Sequence, residues 1–363
     1  VKIEMIVPGL APAGMEMVVA GLVRGLAGRG HDVGVTCIEY KGLVAESLEA
    51  SGFRVTLVPT PGLRTILLPL NLRRWLRERQ PDVVHIHSGA WLKSARAAAM
   101  ARAPRVIYTM HGIDGRQPTY IPYLERVAAR YTTVIVPVST AFVPYLVERV
   151  HTPSDRLHVI INGIDVDLFR PGPKSGRVRE RFDLAYDDVV IGHVARFSPV
   201  KNHTMLITAF AEVLRIQPRA FLALAGDGSL RGEIEARVDA LGIRSRVGFL
   251  GLLSDLPDVY RDLDMLVLPS LSEATSMSVL EGMATGLPIV ATAVGGTPEL
   301  LAHGEAGALV PSDNPRALAD ALIALIAAPD ERDRLGRAAR QRAELCYSED
   351  RMLDAYEAIY AGS

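Results

Sequence analysis

Four charged residues in the second half of the chain have types and spacing able to do chemistry. Arg196 and Lys201 stand in R-F-S-P-V-K, and Glu273 and Glu281, with seven residues between them, stand in S-E-A-T-S-M-S-V-L-E-G-M-A-T-G-L-P. Two cations answer a diphosphate, and two carboxylates accept hydrogen bonds from the hydroxyls of a ribose and a second sugar. Together they describe a site for a sugar nucleotide. The stretch from Ala274 to Ser278 reads as a turn into a helix that ends near Thr285. The first amides of that helix, Met277, Ser278 and Val279, lack intrahelical partners and favour a bound anion.

Plainer readings stand beside this one. Ser278 and Glu281 also spell S-x-x-E, the capping box in which a glutamate folds back on its own helix start. Taken singly, Arg196 and Lys201 are ordinary solvated cations. What favours a site is the whole arrangement, with both pairs just beyond expected strand ends.

The elements that must position these groups alternate strand and helix, a pattern that calls for parallel sheets covered on both faces. V-K-I-E-M-I-V, D-V-G-V-T-C-I, F-R-V-T-L-V, D-V-V-H-I-H, R-V-I-Y-T-M and T-V-I-V-P-V read as strands of a first domain. V-V-I-G-H-V-A, A-F-L-A-L-A-G, R-V-G-F-L, M-L-V-L-P and P-I-V-A-T repeat the scheme in a second. The fold class is therefore α/β, with two doubly wound Rossmann-like domains. Periodicity breaks at N-G-I-D-V-D-L-F-R-P-G-P, which predicts a first domain over 1–165, a linker over 166–173 and a second domain over 174–345. Ligands of open α/β sheets bind beyond the carboxyl ends of strands, so the strand-end loops of both domains are expected to face a common cleft.

Length and composition agree. A chain of 363 residues accommodates two domains with their own cores, and 49% apolar with 22% charged residues is the profile of a soluble globular protein. No apolar run approaches the roughly 18 residues that span a bilayer, and the first residues read as a strand, so the expectation is a cytoplasmic protein. Cys37 and Cys346 offer neither a disulfide framework nor a metal cluster, and Cys37 reads as a buried strand residue. Charge is uneven: residues 1–170 carry 20 Lys and Arg against 14 Asp and Glu, and 64–130 alone carry 12 against 4. That basic region favours a phosphate-bearing acceptor or the inner face of an anionic membrane as partner. Nucleic acid is disfavoured because no binding motif accompanies the charge. The segment L-R-T-I-L-L-P-L-N-L-R-R-W-L-R-E-R-Q reads either as a membrane-surface helix or as a helix packing Leu72, Trp75 and Leu76 on a sheet.

Two further places in the first domain draw attention. The loop Pro8 to Met15 carries Gly14 immediately before a helix, where a glycine lets backbone approach a phosphate or simply makes a turn. His111 follows the strand R-V-I-Y-T-M and precedes Gly112. His85 and His87 lie two apart on a strand and point to one face, with no third ligand at a matching spacing. They read as structural or site-lining, with His87 near the acceptor.

The ordered set resembles a GT-B glycosyltransferase of family 4. It comprises A-G-M-E from Ala13 to Glu16, M-H-G around His111, N-G-I-D from Asn162, the Arg196 and Lys201 pair and G-D-G from Gly226. Glu273 with Glu281, G-L-P-I-V-A from Gly286 and G-G-T-P-E from Gly295 complete it. Ala13 departs from the family's usual first glycine. The resemblance implies a retaining transfer from a UDP- or GDP-sugar to a glycan or lipid-linked acceptor in bacterial-type polysaccharide or glycolipid synthesis. It also implies that a C-terminal helix over 346–363 returns to the first domain. Arg196, Lys201 and the helix-start amides would stabilise the departing diphosphate, and Glu273 and His111 would serve the reacting sugar. Glu281 would hold ribose, and backbone at Leu250 and Gly251 the base. Asp165 and Asp167 fall in the hinge rather than at a strand end, so neither metal nor cofactor is expected. A GT-B sugar-nucleotide epimerase, or a non-catalytic relative that only binds sugar nucleotides, would share the fold; the full set of four charged residues speaks against both.

Overall fold

The computed structural model describes residues 1–12, 14–62, 64–113, 118–253 and 255–362. They form two compact units, Val1–Gly163 with Glu349–Ser363, and Ile164–Ser348.

The first unit is built on a six-stranded parallel sheet in the order β3-β2-β1-β4-β5-β6. Its strands are β1 (Lys2–Val7), β2 (Asp32–Cys37), β3 (Arg54–Leu57), β4 (Val83–His87), β5 (Arg105–Met110) and β6 (Val134–Pro137). The second unit repeats the plan in the order β12-β11-β10-β7-β8-β9. There the strands are β7 (Val189–Val194), β8 (Ala220–Ala225), β9 (Val247–Gly251), β10 (Met265–Leu268), β11 (Ile289–Thr292) and β12 (Ala308–Val310). Central strands such as β8, A-F-L-A-L-A, are apolar throughout because helices cover both faces and leave no wet side for alternation. The helices that bear on the site are α1 (Gly14–Gly28), α2 (Leu70–Arg79), α3 (His203–Ile216), α4 (Leu256–Asp262), α5 (Met277–Thr285), α6 (Pro329–Cys346) and α7 (Glu349–Ala361). Strand β12 was not expected from the sequence: three residues at a sheet edge, two of them only half-buried, give no periodic signal.

Each sheet has one place where strand order reverses, between β1 and β4 in the first and between β7 and β10 in the second. Loops leaving such neighbours diverge to opposite faces and leave a crevice at the carboxyl ends.

Residues 166–173 do not form a free linker, because they group with the second unit. Arg340 of α6 donates to the carbonyl oxygens of Val166 and Phe169, at 2.9 and 3.0 Å, and Phe169 packs edge-on against Tyr260. The returning helix begins at Glu349, not at 346. Arg29, at the end of α1, pairs with Asp350, Asp354 and Glu357 on successive turns of α7, and His31 meets Glu357 at 2.7 Å. Within the first unit α2 rests on the sheet through buried Leu72 and Leu76, while Trp75 donates to Thr36 Oγ1 at 2.8 Å. Cys37 is buried in β2. Among the described residues no helix is long and apolar enough to cross a membrane.

Candidate active site

In the second unit the two loops at the reversal point carry the charged residues. Lys201 follows β7 and Glu273 follows β10, and Lys201 Nζ donates to Glu273 Oε1 at 2.5 Å. The Glu273 side chain is 8% exposed and that of Lys201 20%, so this is a largely desolvated pair rather than a surface bridge. Backbone packing sets the position of both loops. Gly295 has φ +52, and a Cβ there would lie 1.7 Å from the Glu273 carbonyl oxygen, so only glycine lets the G-G-T-P-E turn seat against Glu273. Gly226, at φ +128, passes equally close to Ala195, where a Cβ would lie 2.0 Å from the carbonyl oxygen. The G-D-G turn thereby clamps the segment that carries Arg196, with Phe197 N–H donating to Asp227 O at 2.9 Å. Arg196 itself is exposed, and among the described residues its guanidinium has no protein partner. One cation is thus held against a carboxylate and the other is left to solvent.

Helix α5 begins just beyond Glu273. Its N-cap is Ser276, in extended backbone, with no side-chain capping bond. Met277, Ser278 and Val279 are its first three residues, where amides have no acceptor within the helix. The capping-box reading is overturned. Ser278 lies inside the helix, its Oγ 3.1 Å from Ser276 Oγ, and the Glu281 carboxylate turns to another helix, accepting from Tyr260 Oη of α4 at 2.6 Å. Burial pushes the Glu281 carboxyl up to about 7, against the lowering effect of that hydrogen bond. Burial, reinforced by the neighbouring carboxylate, also raises the Tyr260 phenol well above its ordinary value, so tyrosine is the donor.

Leu250 and Gly251 end β9 beside the G-D-G turn. The Gly251 carbonyl already accepts from Gly226 N–H at 2.9 Å, and the Leu250 carbonyl from Arg181 Nη1 at 3.2 Å. Gly251 has φ +75 and open space where a Cβ would stand.

In the first unit Gly14 opens α1 and is exposed; Ala13, whose departure from the family pattern bears on this loop, lies outside the described residues. His111 stands just past β5, its N–H donating to Ser88 Oγ at 2.8 Å. Its Nε2 lies 2.9 Å from His87 Nδ1, a pairing that sequence reasoning missed. His85 packs against His87 with ring centroids 4.2 Å apart and the rings tilted by 36°. It is fully engaged: Nδ1 meets Tyr360 Oη at 2.8 Å and Nε2 meets Thr109 Oγ1 at 2.7 Å. Thr109 in turn meets Tyr356 Oη at 3.0 Å, so His85 pins α7 to the sheet. Burial pushes His85 and His111 down to about 3, so both rings are neutral near pH 7. The hinge Asp165 is also accounted for, since its Oδ1 accepts from the N–H groups of Asp167 and Leu168.

Comparison with known proteins bears on this arrangement. The chain matches the family model "Glycosyltransferase Family 4" over residues 12–168 and "Glycosyl transferases group 1" over 176–342. It is 30% identical to D-inositol 3-phosphate glycosyltransferase of Frankia alni over 93% of this chain and 91% of that protein. It is 26% identical to the Escherichia coli UDP-Gal:alpha-D-GlcNAc-diphosphoundecaprenol alpha-1,3-galactosyltransferase over 80% and 79%. Among solved structures, Anabaena HepE in complex with UDP-glucose superposes with a TM-score of 0.84, covering 99% of each chain at 24% identity. Two doubly wound units of this order, matched along their length by these relatives, make the chain a glycosyltransferase of the GT-B fold, a member of family 4.

Proposed function

We propose that the chain moves a sugar from a UDP- or GDP-sugar, with retention of configuration and without a metal, to a glycan or lipid-linked acceptor in bacterial-type polysaccharide or glycolipid synthesis. The observation that carries this reading is the buried Lys201–Glu273 pair at the reversal point, beside the uncapped start of α5. As the glycosidic bond breaks, the departing diphosphate gains negative charge and the sugar gains oxocarbenium character. Arg196, Lys201 and the amides of Met277, Ser278 and Val279 bind the first, more strongly in the transition state than in the ground state, which lowers the barrier. Glu273 faces the positive sugar, held in place by Lys201, and His111 is assigned to a sugar substrate. Glu281 takes the ribose hydroxyls and stays ordered through Tyr260. The donor class is supported by relatives whose names or complexes include UDP-Gal and UDP-glucose.

The acceptor reading rests on the first unit. Leu67, Leu68 and Leu70 are 52–63% exposed, and Arg64, Arg74 and Arg77 are exposed around them. Leucines framed by arginines suit the headgroup region of an anionic membrane at its cytoplasmic face, where a lipid-linked acceptor would be met. Incubation with a panel of nucleotide sugars, with and without lipid-linked and soluble acceptors, tests the whole proposal by the nucleotide diphosphate released. Release from no donor under any condition refutes it.

A further inference from the structure

His87 ends β4 and His111 lies two residues past Thr109, its neighbour in register on β5, and the two rings share the single hydrogen bond between His87 Nδ1 and His111 Nε2. Among the described residues the other two nitrogens, His87 Nε2 and His111 Nδ1, are buried without a partner. Burial holds both rings well below their ordinary pKa, so each is neutral and carries one N–H. Two neutral imidazoles joined by one bond have only two arrangements. If His111 donates through Nε2, His87 must carry its proton on its own Nε2. That ring is 0% exposed, so the N–H stays orphaned and its lost hydration is not made good. If His87 donates through Nδ1, the unpaired N–H falls instead on His111 Nδ1. His111 Nδ1 is buried as well, but unlike His87 its residue is partly exposed and is followed by Gly112 at a strand end, where a bound molecule can approach it and supply the acceptor. The second arrangement avoids the permanent orphan.

We propose that His87 is a positioning residue: by donating through Nδ1 it locks His111 as the Nδ1–H tautomer and makes it a neutral hydrogen-bond donor to a hydroxyl or phosphate oxygen of the bound sugar substrate. The nature of that ligand rests on the transferase reading; the tautomer rests only on a ligand reaching His111 and not His87, whatever its kind. His85 has no free nitrogen to compete for His87, and its ring, packed at 4.2 Å, limits rotation of the His87 ring. Ser88 fixes the backbone of His111 from the residue next to His87. The pair is therefore set from both sides before any ligand arrives.

Long-range 1H–15N correlation spectra of the full chain, with labelled histidine, read the tautomer of each ring without any substrate. The expected result is Nδ1–H at both His87 and His111, against the Nε2–H form that a free imidazole side chain prefers; Nε2–H at either ring overturns the proposal. His87→Phe should return His111 to Nε2–H and lower kcat about 10-fold to 100-fold, less than full loss of one preorganised donor. UDP and GDP affinity should hold. His87→Asn, whose amide donates from near the Nδ1 position, should recover most of the rate. A tautomer that moves while kcat does not change overturns the positioning role. If the wild-type chain releases nucleotide from no donor, the transferase reading fails separately, and the wild-type spectra still decide the tautomer.

Discussion

Glu281 is a carboxylate kept at a cost to stability, and Glu281→Gln exposes that cost. The group titrates near 4.5 in an unfolded chain and at about 7 in the folded one, because burial against Tyr260 and α5 disfavours its charge. Below about pH 4.5 it is protonated in both states and contributes nothing. Between there and about pH 7 the native state holds a proton that the unfolded chain has released, so stability falls as pH rises. Above about pH 7 the full penalty applies. At about 1.4 kcal/mol per unit, and allowing for partial exposure of the residue, it amounts to about 2–3 kcal/mol. Glutamine keeps an oxygen for Tyr260 Oη and removes the charge, so the variant should be more stable than wild type by that amount at pH 8, a rise of about 5–10 °C in Tm for a unit of this size. At pH 5 the advantage should shrink below about 1 kcal/mol. Thermal unfolding of both proteins across that range, without ligand, checks it; an advantage that is the same at pH 5 and pH 8, or missing at pH 8, refutes the reasoning. Binding should move the other way. Calorimetric titration with UDP and GDP should show a loss of about 1.5–3 kcal/mol, since the ionised oxygen proposed to hold ribose is gone. A stabilised variant with unchanged affinity would remove Glu281 from the ribose site.

Three other outcomes follow from the same geometry. Arg196→Ala and Lys201→Ala should each lower kcat/KM about 30-fold to 1000-fold, but only Lys201→Ala should also lower thermal stability, because it strands the buried Glu273; equal stability losses in the two variants, or wild-type turnover in either, would contradict this. Gly295→Ala should shift the Glu273 loop, since its Cβ has no room against the Glu273 carbonyl, and steady-state kinetics should show kcat falling more than nucleotide affinity; a variant with unaltered kcat would separate the turn from the chemistry. Neutralising Arg73, Arg74 and Arg77 together should weaken sedimentation with anionic vesicles at low salt while leaving nucleotide binding intact, and a wild-type chain that never sediments, yet glycosylates a soluble acceptor, would remove the membrane from the proposal.

The parts of the structure legible in the sequence are those whose causes are local. Eleven of the strands announce themselves as apolar runs because each must be buried on both faces, and β12 does not because it is short and half-wet at an edge. The same limit explains the site. Arg196, Lys201, Glu273 and Glu281 could be picked out by type and spacing, but the partners of the last three could not. Lys201 meets Glu273 across 72 positions because β7 and β10 are neighbours only once the sheet order reverses. Ser278 and Glu281 obey a local capping rule on paper, yet an extended Ser276 starts the helix two residues earlier than that rule needs, and Tyr260 claims the carboxylate from a different helix. A local motif yields wherever a tertiary partner offers a buried hydrogen bond that the motif leaves to solvent.

The histidines mark an intermediate case, in which the signal existed but needed one more inference. H-x-H places His85 and His87 on one face of β4, and His111 falls on the same face of the next strand if His87 is set opposite Thr109. Both strands end within two residues of that pairing, so their carboxyl-end histidines must meet. What the residues alone do not contain is the register, since sliding β5 by one residue would turn His111 to the other face. The runs Val83–His87 and Arg105–Met110 differ by one residue in length, so matching their ends leaves that slip open, and only the folded sheet, with Val83 opposite Arg105 and His87 opposite Thr109, fixes the His87–His111 contact. The proposed tautomer then rests on the difference in exposure between the two residues, because the orphaned proton belongs on the ring that a ligand can reach.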